Sequence, residues 1–125
     1  MITEDYVSFE TAKLLKEKGF NEDSWFHYDA DGDIVTRGYR LNMPEDIPAW
    51  TLQMGMKWLR EIYKLEVRST YDYDKNSWWG NINPMFEETD EISDIYQKAL
   101  RFDYQGKSYE QACEAAIKYC LENLI

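Results

Sequence analysis

The chain has 125 residues, 44% of them hydrophobic and 16% aromatic, which fits one domain able to bury a core without metal or disulfides. Its 14 basic and 24 acidic residues leave a net charge of −10, a field that repels phosphate backbones. The basic residues form no patch, since the densest set (Lys13, Lys16, Lys18) is interleaved with Glu10 and Glu17. No nucleic-acid partner is expected.

Ser8 is a good N-cap for a first helix over 9–18, with Phe9, Ala12 and Leu15 at helical spacing. Gly19 suits the left-handed position that ends it, and Phe20 can fold back on Leu15. Residues 24–29 and 34–40 read as two strands joined across Asp31-Gly32, a dipeptide that tolerates a tight hairpin turn. Pro44 and Pro48 break an irregular stretch over 41–47, and Pro48 suits the first turn of a second helix. Leu52, Met56, Leu59 and Tyr63 give that helix its apolar stripe, and Gly55 within it suggests close approach of a neighbouring element.

A third strand is predicted over 65–71 and a fourth over 77–83, joined at Asp74-Lys75-Asn76. The adjacent Trp78 and Trp79 must then point to opposite faces. An acidic run (Glu87, Glu88, Asp90, Glu91, Asp94) overlaps the start of a short helix over about 91–100. Ser108-Tyr109-Glu110-Gln111 is a capping-box signature, and the helix it opens keeps an apolar face from Tyr109 through Ile117 to Leu124. Cys113 and Cys120 lie about 10 Å apart along this helix, too far for a disulfide, and read as buried apolar residues of a reducing compartment.

The expected architecture is a single α+β domain over 1–125, in the order helix, hairpin, helix, hairpin, short helix, long helix. Its two hairpins would combine into an antiparallel sheet of about four strands, with helices mainly on one face. An acidic turn occurs twice, as Tyr28-Asp29-Ala30-Asp31-Gly32-Asp33 and Tyr71-Asp72-Tyr73-Asp74-Lys75-Asn76, each after a similar helical phrase (Lys13-Leu14-Leu15-Lys16-Glu17 and Lys57-Trp58-Leu59-Arg60-Glu61). This suggests one helix-plus-hairpin unit used twice.

The first turn imitates half a calcium loop, but Ile34 and Arg40 stand where such a loop needs glycine and a bidentate glutamate. Gly106-Lys107-Ser108 lacks the upstream glycine of a phosphate loop, where Arg101 stands. His27 is the only histidine, so His and Cys assemble no zinc set, and no nucleophilic triad is legible. Catalytic, cofactor-binding and metal-binding residues are therefore assigned to none. The surplus aromatics carry more weight: Trp25, Trp78 and one of Tyr71 or Tyr73 could cluster on a sheet face away from the first helices, with Trp79 opposite. Together with the acidic run they are the candidate partner-binding residues.

Three blocks resemble a known group. Tyr6-Val7-Ser8-Phe9-Glu10-Thr11-Ala12-Lys13-Leu14-Leu15-Lys16-Glu17-Lys18-Gly19-Phe20, then Met56-Lys57-Trp58-Leu59-Arg60-Glu61, then the terminal run from Tyr109-Glu110-Gln111-Ala112 to Leu124-Ile125 are similar to small uncharacterised proteins of phages and prophages from Bacteroides-type gut bacteria. The resemblance covers half the chain and weakens over 84–107. It implies origin in a mobile element and supplies no site to carry over.

With no apolar run near about 18 residues and no signal-peptide pattern at Met1-Ile2-Thr3-Glu4-Asp5, no membrane partner and a location in the bacterial cytoplasm are expected. The leading expectation is a non-enzymatic accessory protein acting through a protein partner or self-association. The alternatives are a small enzyme with carboxylate chemistry, or an acidic mimic that blocks a DNA-binding protein.

Overall fold

The structure, a computed structural model, describes residues 4–36 and 47–125. Its elements are α1 (Phe9–Glu17), β1 (Phe26–Tyr28), β2 (Ile34–Thr36), β3 (Ile47–Pro48), α2 (Leu52–Ile62), β4 (Leu65–Asp72), β5 (Ser77–Pro84), α3 (Ser93–Arg101), β6 (Tyr104–Gly106) and α4 (Tyr109–Asn123). The fold is α+β, and all strand pairings are antiparallel.

Local chemistry sets the helix ends. Ser8 Oγ accepts the Thr11 N–H to open α1, and Thr51 Oγ1 accepts the Met54 N–H to open α2. At the end of α1, Phe20 N–H bonds Leu15 O and Gly19 N–H bonds Lys16 O, with Gly19 at φ 100°: a complete Schellman ending. Ser108 caps α4 through the Gln111 N–H, while Gln111 Oε1 takes the Lys107 N–H rather than that of Ser108.

The four-stranded sheet is not what forms. Among the described residues there are two three-stranded sheets, ordered β2-β1-β3 and β4-β5-β6. One edge of each hairpin is taken by a short strand: Ile47–Pro48 pairs with β1, and Tyr104–Gly106 pairs with β5, while β2 and β4 stay at the edges of their separate sheets. Strand length contributes too, since β1 and β2 have three residues each whereas β4 and β5 have eight. Pro48 therefore lies on an edge strand, where a missing N–H is tolerated, and not in the first turn of α2. The expected strand over 34–40 is present through Thr36, and its remainder, with the stretch at 41–46, lies outside the described residues.

Helix α4 organises the core, packing on α1, α2, β4, β5 and β6. Its Cys113, Ala116, Ile117, Cys120 and Leu121 are buried with Leu15 of α1, Leu59 of α2 and Leu65 and Val67 of β4. Gly80 of β5 admits the closest approach: a Cβ there would lie 2.6 Å from Ala112 O. Gly55 behaves otherwise, for a Cβ would meet Ile117 Cδ1 at an ordinary 3.6 Å, so the expected close approach is not a tight one. In the same core Phe20 meets Trp50 and Trp58 edge-on, with Trp50 Nε1–H bonding Glu22 O at 2.7 Å.

Both Tyr-Asp-x-Asp turns use their first aspartate alike. Asp29 Oδ1 accepts the N–H groups of Asp31 and Asp33, and Asp72 Oδ1 accepts those of Asp74 and Lys75. A helix followed by an antiparallel hairpin thus occurs twice, as α1-β1-β2 and α2-β4-β5, in separate sheets.

Candidate functional site: an exposed hairpin beside an acidic cleft

Strand β1 packs one side of the first hairpin against the domain. Tyr28 lies 5.2 Å from the Phe9 ring and donates its hydroxyl to Val7 O. Burial pushes this phenol up to about 12, with the Glu114 carboxylate adding to the shift. His27 is buried as well, with Nε2 3.0 Å from Ser24 O. The rest of the hairpin faces water: Trp25 is 78% exposed, and Phe26, Ile34 and Val35 are each more than a third exposed. All three residues of β2 are exposed, and β2 is an edge of its sheet. From Glu22 to Thr36 the chain holds five acids (Glu22, Asp23, Asp29, Asp31, Asp33) and no lysine or arginine. An apolar ledge is thus bordered by negative charge.

The carboxylates of Asp29, Asp31 and Asp33 offer oxygens within 4.8 Å of one another. Strands flank this turn, and Asp29 already serves its backbone, so the cluster is the tip of a hairpin.

A cleft of about 410 Å³ opens beside the ledge, lined by Asp5, Tyr6, Tyr104, Glu110, Gln111 and Glu114 among others, with buried Leu52 contributing an apolar surface. Its walls are fixed by backbone bonds: Leu52 N–H donates to Asp5 O, Val7 N–H to Trp50 O, and Ser8 N–H to Glu114 Oε1 at 2.9 Å. The Tyr6 ring meets Phe26 edge-on at 5.7 Å, so cleft and ledge are continuous.

The other expected partner-binding residues fall elsewhere. Trp25 immediately precedes β1 of one sheet and Trp78 lies in β5 of the other, so they do not form one aromatic face. Tyr71 and Trp78 are cross-strand partners, 5.1 Å apart, and Trp78 packs edge-on against Tyr109 of α4. They therefore lie on the helix-facing side of β4-β5-β6. Trp79 points the opposite way, where its indole N–H donates to Asp72 Oδ2 at 2.8 Å and Lys75 Nζ stands 5.3 Å from its ring centre. The bond from Trp79 holds the Asp72 carboxyl below its usual range. Tyr73, 87% exposed, sits in the turn between β4 and β5.

The acidic run is exposed, but two of its members are engaged locally. Glu88 accepts Ser93 Oγ–H at 2.7 Å and the Gln97 amide, bonds that lower its pKa and secure the start of α3. Asp94 pairs with Lys98 at 3.1 Å. Glu87, Asp90 and Glu91 remain as a solvated acidic segment.

Sequence reasoning missed Tyr6, Tyr104 and Glu114, because the first residues of the chain, β6 and α4 meet only through the packing of α1 and β6 on α4. Among the described residues, no helix is long and apolar enough to cross a membrane. No family model matches the chain, and comparison with curated proteins and with solved structures gives no match.

Proposed function

We propose that this is a non-enzymatic binding protein that docks a protein partner through the β1–β2 hairpin. One observation carries the reading: Trp25, Phe26, Ile34 and Val35 are all exposed, over the two faces of one short ribbon that Tyr28 ties to the domain. An exposed tryptophan is a common energetic centre of an interface. The five acids around it select a partner with an apolar patch rimmed by lysine or arginine. They also disfavour a second copy of this chain, which would oppose like charges, and nucleic acid. The two buried thiols of Cys113 and Cys120, both with raised pKa, suit a reducing compartment. The sequence resemblance alone places this role in a phage or prophage, as an accessory protein inside the bacterial cell.

Affinity capture from the encoding cells, at low and high salt, tests the reading against a Trp25→Ala variant. The expected result is a discrete partner whose retention falls roughly 30-fold in the variant, from loss of about 2 kcal/mol at an interface centre. The same partner retained equally by Trp25→Ala, or a DNA-binding protein captured through the 87–94 segment instead, would overturn it.

A further inference from the structure

Among the described residues, β2 has β1 on one side and no strand on the other. The ladder between them shows which backbone groups this leaves over. Asp29 N–H donates to Asp33 O, so that carbonyl points to β1. Alternation along an extended strand then turns the N–H and C=O of Ile34 outward, those of Val35 inward, and those of Thr36 outward again. The far side of β1 agrees, since Phe26 O accepts the Ala49 N–H beside β3 and so leaves His27 facing Val35. Ile34 and Thr36 are both exposed.

The other sheet treats its edge differently. Met85 N–H bonds Lys64 O, so Lys64 faces β5 and the backbones of Leu65 and Val67 turn outward from β4. Both of those residues are buried. The fold thus covers the outer backbone at the start of its long edge strand and leaves that of β2 in water. Backbone donors and acceptors on an open edge are a template for a strand from another chain. Side chains of such a strand would alternate beside Ile34, on the face of Tyr28, and beside Val35, on the face of His27. Both neighbours are apolar. Charge fixes the rest. Asp33 directly precedes Ile34, Asp29 and Asp31 sit at the same hairpin tip, and no lysine or arginine lies between Glu22 and Thr36. An antiparallel addition, like the other pairings of this sheet, brings the C-terminal end of the added strand to that tip.

We propose that the partner binds by adding a strand to β2: a short extended segment, apolar and then basic, whose backbone pairs antiparallel with Ile34 and Thr36. This mode rests on the hairpin being the docking element and names what the hairpin recognises.

The probe is a blocked peptide, Val-Thr-Val-Thr-Lys-Arg, titrated into the full chain and followed by amide NMR and hydrogen exchange. Its controls are Val-Thr-Val-Thr-Glu-Glu and the first peptide N-methylated at every Val and Thr. Saturable shifts in β2 are expected with Kd of order 1 mM, and the Ile34 and Thr36 amides should become protected from exchange in the complex. The glutamate peptide should bind about tenfold more weakly or worse, and the N-methylated one should give no protection. Thr36→Pro removes one outward N–H and spares the β1–β2 bonds, a place where an edge strand tolerates proline. It should weaken the peptide about tenfold with the β1 resonances of the free protein preserved; if β1 is disturbed, the N-methylated peptide decides. Non-saturable shifts, binding without protection of Ile34 and Thr36, or equal affinity for either control would overturn the proposal. Capture from the encoding cells separates the two readings. A partner lost by Trp25→Ala but kept by Thr36→Pro leaves the hairpin reading standing and overturns the added strand. Protection of Ile34 and Thr36 by the peptide, beside a partner that Trp25→Ala retains, supports the edge and overturns the tryptophan-centred reading.

Discussion

Replacing Gly80 by alanine probes the contact on which the fold turns. The added methyl would stand 2.6 Å from Ala112 O and 3.3 Å from its carbonyl carbon, against ordinary contact beginning near 3.4 Å. The obstacle is helix backbone and cannot swing aside, so β5 and α4 must part by about 0.8 Å. A gap of that size forfeits about a quarter to a half of the dispersion attraction across it. It also loosens two contacts made by the same surfaces, Ser69 Oγ–H to Tyr109 O at 3.2 Å and the Trp78–Tyr109 ring pair. Overpacking of this kind costs about 1–3 kcal/mol, and a backbone obstacle belongs at the upper end; alanine's better strand propensity returns about 1 kcal/mol. The expected net loss is about 2 kcal/mol, a fall in Tm of about 8 °C for a domain of this size.

Urea denaturation followed by tryptophan fluorescence measures it, with Gly55→Ala as the internal contrast. That methyl meets only side-chain carbons at 3.6 Å or more inside a helix, so it should stabilise by about 0.5–1 kcal/mol. Gly80→Ala within about 0.5 kcal/mol of the parent, or Gly55→Ala equally destabilised, would refute the packing account.

Alkali should unfold the protein early. The Cys120 thiol is pushed up to about 12 by burial, and Tyr28 to about 12 by burial and by Glu114. In both groups the folded pKa lies above the unfolded one, so the folded state holds more protons. Stability is then full below about pH 9 and falls towards pH 12, by up to about 1.4 kcal/mol per pH unit per group. Urea midpoints that stay flat from pH 8 to 10.5 would contradict this, and Cys120→Ala should flatten the onset. At the acid end, the depressed Asp72 carboxyl gives stability present above its unfolded pKa and lost as pH falls through its folded value. Trp79→Phe removes the leading cause of the shift, so the Asp72 titration read by NMR should move upward; an unchanged midpoint would show that the indole bond is unimportant.

Helix ends and the long hairpin were legible because their determinants are local. Ser8, Gly19 and Phe20 act within five residues of α1, and Asp29 and Asp72 organise their own turns. Sheet composition was not legible, because it depends on two short strands with almost no periodicity. Ile47–Pro48 offers two residues, and Tyr104–Gly106 three, yet each completes a separate three-stranded sheet beside one hairpin. The same limit hid Gly80, whose role depends on α4 reaching across the sheet. Trp25 was marked from sequence and is exposed, but grouping it with Trp78 required a shared sheet that does not exist. The cleft was harder still, since Tyr6 and Glu114 are neighbours only in three dimensions.

Site-specific photocrosslinking in the encoding cells tests the central claim most directly. A photoreactive phenylalanine would replace Trp25 in one protein and Tyr73, the most exposed aromatic of the other hairpin, in a second. The account predicts a discrete heterologous adduct from position 25, diminished when Val35 is changed to lysine, and none above background from position 73. An adduct from position 73 with none from position 25 would contradict it.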